Sequence, residues 1–139
     1  MFHSILVPID LEHDNPGSRA LPKAAALIDK HGSKVTLLNV LAPIPAVVAQ
    51  NLPEDYEAQH KKESEAELEA LAKRYMNTDN VSVMVRHGGV YPEILEAASK
   101  LDVDLILMHS HKPGLSDYLL GSNAARVVRH SGCSVLVLR

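Results

Sequence analysis

The sequence predicts an α/β protein, a doubly wound sheet of five parallel strands with helices packed on both faces. Three observations carry that expectation. Five short β-prone runs alternate with four helical stretches along the 139 residues, the pattern of repeated βαβ units with right-handed crossovers. The run VDLILMH is apolar almost throughout, as a strand covered on both faces must be. Gly, Pro, Asn and Asp gather at the junctions between runs, where turns need them.

The first strand is expected over Phe2–Ile9, ending at Asp10. Residues Leu11–Ser18 hold turn and helix-start residues. From Ser18 the positions Ala20, Leu21, Ala24, Ala25, Leu27 and Ile28 recur with helical spacing, until His31-Gly32 supplies a C-terminal cap. Lys34–Leu41 is the second strand. The stretch APIPAVVAQNLPED follows, with three prolines. It reads as a long irregular connection, a kind that is usually functional or mobile in compact domains. Asp55–Met76 is helical, and its charged run KKESEAELEA is assigned to a solvated face. Val81–His87 is the third strand, with Gly88-Gly89 as the turn after it. Tyr91–Leu101 is a helix with Pro92 in its first turn, where a missing N–H costs nothing. Val103–His109 is the fourth strand, Asn123–Ser131 the last helix and Cys133–Arg139 the fifth strand. The reading is one domain over 1–139, without repeats or low-complexity tracts.

Composition narrows the function. Hydrophobic residues make up 46% and charged residues 22%, with a net charge of −3. That is a globular composition, with no basic patch for nucleic acid or a membrane surface. No apolar run approaches the ~20 residues of a membrane span. The start, MFHSILVPID, lacks the pattern of a signal segment, so a cytoplasmic location is expected. Cys133 is the single cysteine. It permits no internal disulfide and no cysteine-based zinc site within one chain, and it reads as a small buried hydrophobe.

In such sheets ligands lie beyond the carboxyl ends of the strands, at the point where strand order reverses. That rule selects Asp10, Val40 and its loop, His87-Gly88-Gly89, and the loop after the fourth strand, HSHKPGLSDYLLGS. Gly121-Ser122, followed by Asn123, opens the last helix. It is either an anion site built on free N–H groups or an ordinary Ser/Asn cap. His109 and His111, two apart on extended backbone, share a face. They are either metal ligands awaiting a third partner or polar loop residues. Asp10 can serve Mg²⁺, a ribose hydroxyl or a helix cap. His3, His13, His31 and His60 are placed on the surface, and Arg129 and His130 at a helix C-terminus, facing its dipole. The P-loop, the G-x-G-x-x-G fingerprint and the G-x-S-x-G elbow are all absent. A receiver domain is disfavoured, since His87 stands where its acceptor aspartate would.

With ILVPID at the start, NVLAP after the second strand and SHKPGLSDYLLGSNAARVVRHSGCSVLVLR at the end, the chain resembles the universal stress proteins, in particular small single-domain members that bind ATP. The resemblance implies a Rossmann-like sheet of order 3-2-1-4-5 with an adenine nucleotide in the crevice. It implies Asp10, Pro8, Ile9 and Val40 at the ribose and base, Met108 beside the base, and Gly121, Ser122 and Asn123 at the phosphates. Family members wrap the phosphates with a loop G-x-x-G, nine residues, G-[ST]. Here His109 and Lys112 occupy the first two glycine positions, and eight residues, Pro113–Leu120, precede Gly121. Histidine narrows the approach, whereas Lys112, with His111 beside it, offers charge to a phosphate.

The resemblance further implies a homodimer paired through the final strand, Cys133–Arg139. The expected function is a cytoplasmic stress protein that binds ATP or another adenine nucleotide, with Mg²⁺ where Asp10 holds it through the nucleotide. It acts by regulation, through a protein partner the sequence does not identify, rather than by catalysis. The alternatives are a slow Mg²⁺-dependent ATP hydrolase or nucleotidyl enzyme, a metal or pH sensor on the histidine pair, and a structural dimer without nucleotide.

Overall fold

The computed structural model describes residues 1–76, 79–110 and 121–139. The strands are β1 (Ser4–Pro8), β2 (Lys34–Leu41), β3 (Val81–His87), β4 (Leu105–His109) and β5 (Ser134–Leu138). All pair in parallel, in the order β3-β2-β1-β4-β5. The helices are α1 (Ala20–His31), α2 (Ala46–Ala49), α3 (Tyr56–Met76), α4 (Val90–Lys100) and α5 (Ser122–His130). The family-implied strand order and the two-faced helix packing are therefore what the chain adopts.

Alternation along the strands divides the interior into two cores. Ile5, Val7, Leu37, Leu105 and Leu107 pack against Leu21, Ala24 and Ile28 of α1 and Leu68 of α3. Leu6, Leu38, Ile106 and Met108 face the other way, onto Ile94 and Ala97 of α4 and Val127 of α5. The central strands are consequently apolar on both sides, and β4 is buried along its whole length.

The elements depart from their expected bounds for local reasons. Strand β1 is shorter than Phe2–Ile9, although the Ile9 N–H still donates to Leu38 O at 2.7 Å. The connection after β2 is not wholly irregular. Pro45, with its fixed φ, opens the one-turn helix α2, which leaves Val47 and Val48 exposed. Gly32 ends α1 as expected, with φ 67° and its N–H on Ile28 O. Cys133 lies outside β5 and is half-buried rather than buried. Its N–H donates to Ser131 Oγ at 3.1 Å, and the Ser131 hydroxyl donates to its carbonyl at 3.0 Å.

Candidate functional site

The strand order reverses between β1 and β4, because β2 and β3 build outward on one side and β5 on the other. A cavity of about 430 Å³ opens at this carboxyl edge. Of the residues expected there, Pro8, Ile9, Asp10, Val40, Met108, His109 and Asn123 line it. Gly121 and Ser122 are beside it, at the start of α5, while His111 and Lys112 lie outside the described residues.

The start of α5 is not the side-chain cap that Ser and Asn suggested. Gly121 holds the N-cap position with no side-chain hydrogen bond across it. Its own N–H donates to Ser110 Oγ at 3.2 Å, which ties the helix start to the end of β4. The amides of Ser122, Asn123 and Ala124 therefore carry no hydrogen bond among the described residues, and they form the positive end of the helix dipole. Gly121 has φ −55° and ψ 153°, which any residue adopts. Glycine is not demanded there by the backbone.

Asp10 turns its carboxylate back onto the chain, where Oδ1 accepts the Glu12 N–H at 3.0 Å. His109 closes β4, as the expected fourth strand had it, is 8% exposed, and meets the ring of His13 edge-on at 5.9 Å. Among the described residues no group of three His, Cys, Asp or Glu side chains converges as a metal site.

The cavity has a wall the sequence reading missed. Tyr56, Glu57, His60, Ser64 and Glu67 reach it from α3, and Ser64 is buried. The charged run is therefore not all solvated face, and His60 is not a bare surface residue but half-buried, with its ring 5.6 Å from that of Tyr56. Positions 60, 64 and 67 fall at helical i, i+4, i+7 spacing, a signal that was present but was masked by the charge around it. Asn39 is the other omission. It interrupts the apolar run TLLNVL, and its Nδ2 donates to Ile9 O at 2.9 Å. Its Oδ1 is buried without a hydrogen-bond partner among the described residues.

Asp10, Glu12, Glu57 and Glu67 place four carboxylates around the cavity, with no Lys or Arg among its described lining residues. The carboxylates of Glu57 and Glu67 disfavour an anion beside α3, whereas the uncapped starts of α5 and α4 present open backbone donors at this edge.

An open parallel α/β sheet with a cleft at its switch point and an uncapped helix start defines a class of small-ligand binders. The family model "Universal stress protein family" matches residues 1–139, and the chain belongs to that family. It is 29% identical to universal stress protein G of Shigella flexneri, over 100% of both chains. The solved universal stress protein UspA from Lactobacillus plantarum superposes with a TM-score of 0.75 at 24% identity, covering 99% of this chain and 97% of that one. A universal stress protein family member from Arabidopsis thaliana, solved with AMP bound, superposes with a TM-score of 0.64 at 18% identity, covering 98% and 90%.

Proposed function

We propose that the chain is a regulatory adenine-nucleotide-binding protein, a homodimer of the cytoplasm in which the nucleotide biases contacts with a protein partner. The observation that carries the reading is the pairing of a 430 Å³ cavity with the unbonded amides of Ser122, Asn123 and Ala124. A volume of that order suits a small organic ligand, and the helix start takes its phosphate. The AMP-bound structure from Arabidopsis thaliana supports the choice of ligand class. Pro8, Val40 and Met108 offer the base an apolar bed, and Asp10 offers the ribose a carboxylate. Lys112, outside the described residues, is the cation that the sequence offers for the phosphates. ATP brings more negative charge toward the four carboxylates than AMP does, so its binding depends on Mg²⁺.

Strand β5 is the sheet edge nearest the site, with no further strand beside it among the described residues, and Leu136 on it is 43% exposed. An apolar edge of this kind favours pairing with a second copy. Native mass spectrometry of the chain mixed with AMP tests both parts. One nucleotide per chain on a dimer is expected; an unshifted mass contradicts the ligand, and a monomer contradicts the assembly.

A further inference from the structure

We propose that the α3 wall of the cavity is a second subsite, built for a linear aliphatic polyamine and separate from the helix starts that suit an anion. Ser64 is the first observation. It is 4% exposed and lines the cavity, yet its hydroxyl has no hydrogen-bond partner among the described residues. A serine buried in a helix can satisfy itself on the carbonyl one turn earlier; Ser64 does not. Nor is its Oγ sealed off, as Asn39 Oδ1 is. A buried hydroxyl in that state calls for a polar group brought by the occupant of the cavity.

The second observation is the charge around it. Glu57, His60, Ser64 and Glu67 recur at helical i, i+3, i+7, i+10 spacing, a single stripe of α3 along the cavity. Glu67 stands one turn beyond Ser64, and Glu57 lies at the far end of the stripe, about 15 Å away along the helix axis. Asp10 and Glu12 add two more carboxylates, and no Lys or Arg among the described lining residues offsets them. Such a wall favours a cation. Its carboxylates are strung along a helix rather than gathered round a point, and no three His, Cys, Asp or Glu side chains converge among the described residues. That arrangement fits separated ammonium groups on one chain better than a single metal ion, which needs its oxygens close together. A primary ammonium has three donors and no acceptor, which matches ionised carboxylates and the Ser64 oxygen. Leu11 and Ile44, both half-buried, give the intervening methylenes an apolar surface. The Tyr56 ring, 5.6 Å from that of His60, offers its face to a cation.

Calorimetric titration of spermidine into the whole chain, at about 0.15 M salt to screen diffuse attraction, tests the subsite. No nucleotide is added, so the outcome is independent of the nucleotide reading. Saturable binding of one spermidine per chain is expected, weakened about tenfold by Ser64→Ala and by Glu67→Gln. Glu69→Gln is the control: it removes the same charge from the same helix, but Glu69 lines a different recess, with Lys73 and Ser82. Its affinity should match the wild type. Circular dichroism checks the fold of each variant, and the exposed Glu67 carries the test if Ser64→Ala does not fold. Absence of binding overturns the proposal, as does unchanged affinity in folded Ser64→Ala or in Glu67→Gln. An equal loss in Glu67→Gln and Glu69→Gln also overturns it, because that marks general attraction to an acidic surface.

Discussion

Asp104, at the foot of β4, shows how single polar groups are held in this fold. Its carboxylate accepts the N–H of His3 at 2.9 Å and that of Ser4 at 3.0 Å, tying the start of β1 to the neighbouring strand. Partial burial pushes its pKa up, but these amide bonds outweigh the push and hold it below the ordinary value of 3.8. A depressed carboxyl contributes stability above its unfolded pKa and loses it as the pH falls through the folded one. Asp104→Ala should therefore lower stability by about 1 kcal/mol at pH 7, a modest figure because the site is partly solvated. The gap to the wild type should close as the pH drops below about 4; urea unfolding at both pH values checks it. At this scale the sequence was uneven. Asp10 and Val40 were legible as strand-end residues, because strand ends are where ligands sit, whereas Met108 came with the family resemblance. Asn39 was not, because an asparagine inside a strand carries no sign of which of its two amide atoms is left unpaired.

At the level of elements, the turn from β3 into α4 illustrates a backbone constraint read correctly from a glycine pair. Gly88 has φ 144°, and a Cβ there would stand 2.7 Å from Glu93 Oε1. Glu93 in turn bonds Arg86 Nε at 2.6 Å, and that bond raises the arginine's pKa further. Gly88→Ala should strain the turn and disturb this pair, costing about 1–3 kcal/mol, measurable as a lowered urea midpoint. Helix α3 is the contrary case. Its length and type were plain from periodicity, yet its role as a wall of the cavity was hidden. A helix rich in Glu and Lys is mostly solvated, and only tertiary packing decides that Ser64 is buried and that His60 and Glu67 line the cavity. Helix α5 fell between the two. Its start was located within one residue, but Gly121 rather than a serine or asparagine side chain occupies the cap, which leaves the first-turn amides open.

Across the whole molecule, the alternation of runs was enough to indicate a doubly wound sheet, because βαβ handedness leaves few arrangements to choose among. The strand order came with the family resemblance, since no local property of a strand names its neighbour. Among the described residues no further strand pairs with either edge of the sheet. Leu136→Lys on β5 places a charge on the edge proposed to pair, and sedimentation should show dimer converting to monomer without loss of helix content. A variant that sediments as the wild type moves the interface elsewhere.

The nucleotide reading unites these scales: a strand reversal creates the crevice, α5 offers its open amides, and Gly121 is the residue proposed to let a phosphate approach. Its most direct test is calorimetric titration of AMP into the wild-type chain and into Gly121→Val. Valine adopts the backbone angles found at Gly121, φ −55° and ψ 153°, so the fold should survive, as circular dichroism can verify. The account predicts saturable binding of one AMP per chain in the wild type and none in the folded variant. No binding by the wild-type chain, or unchanged affinity in the variant, would contradict it.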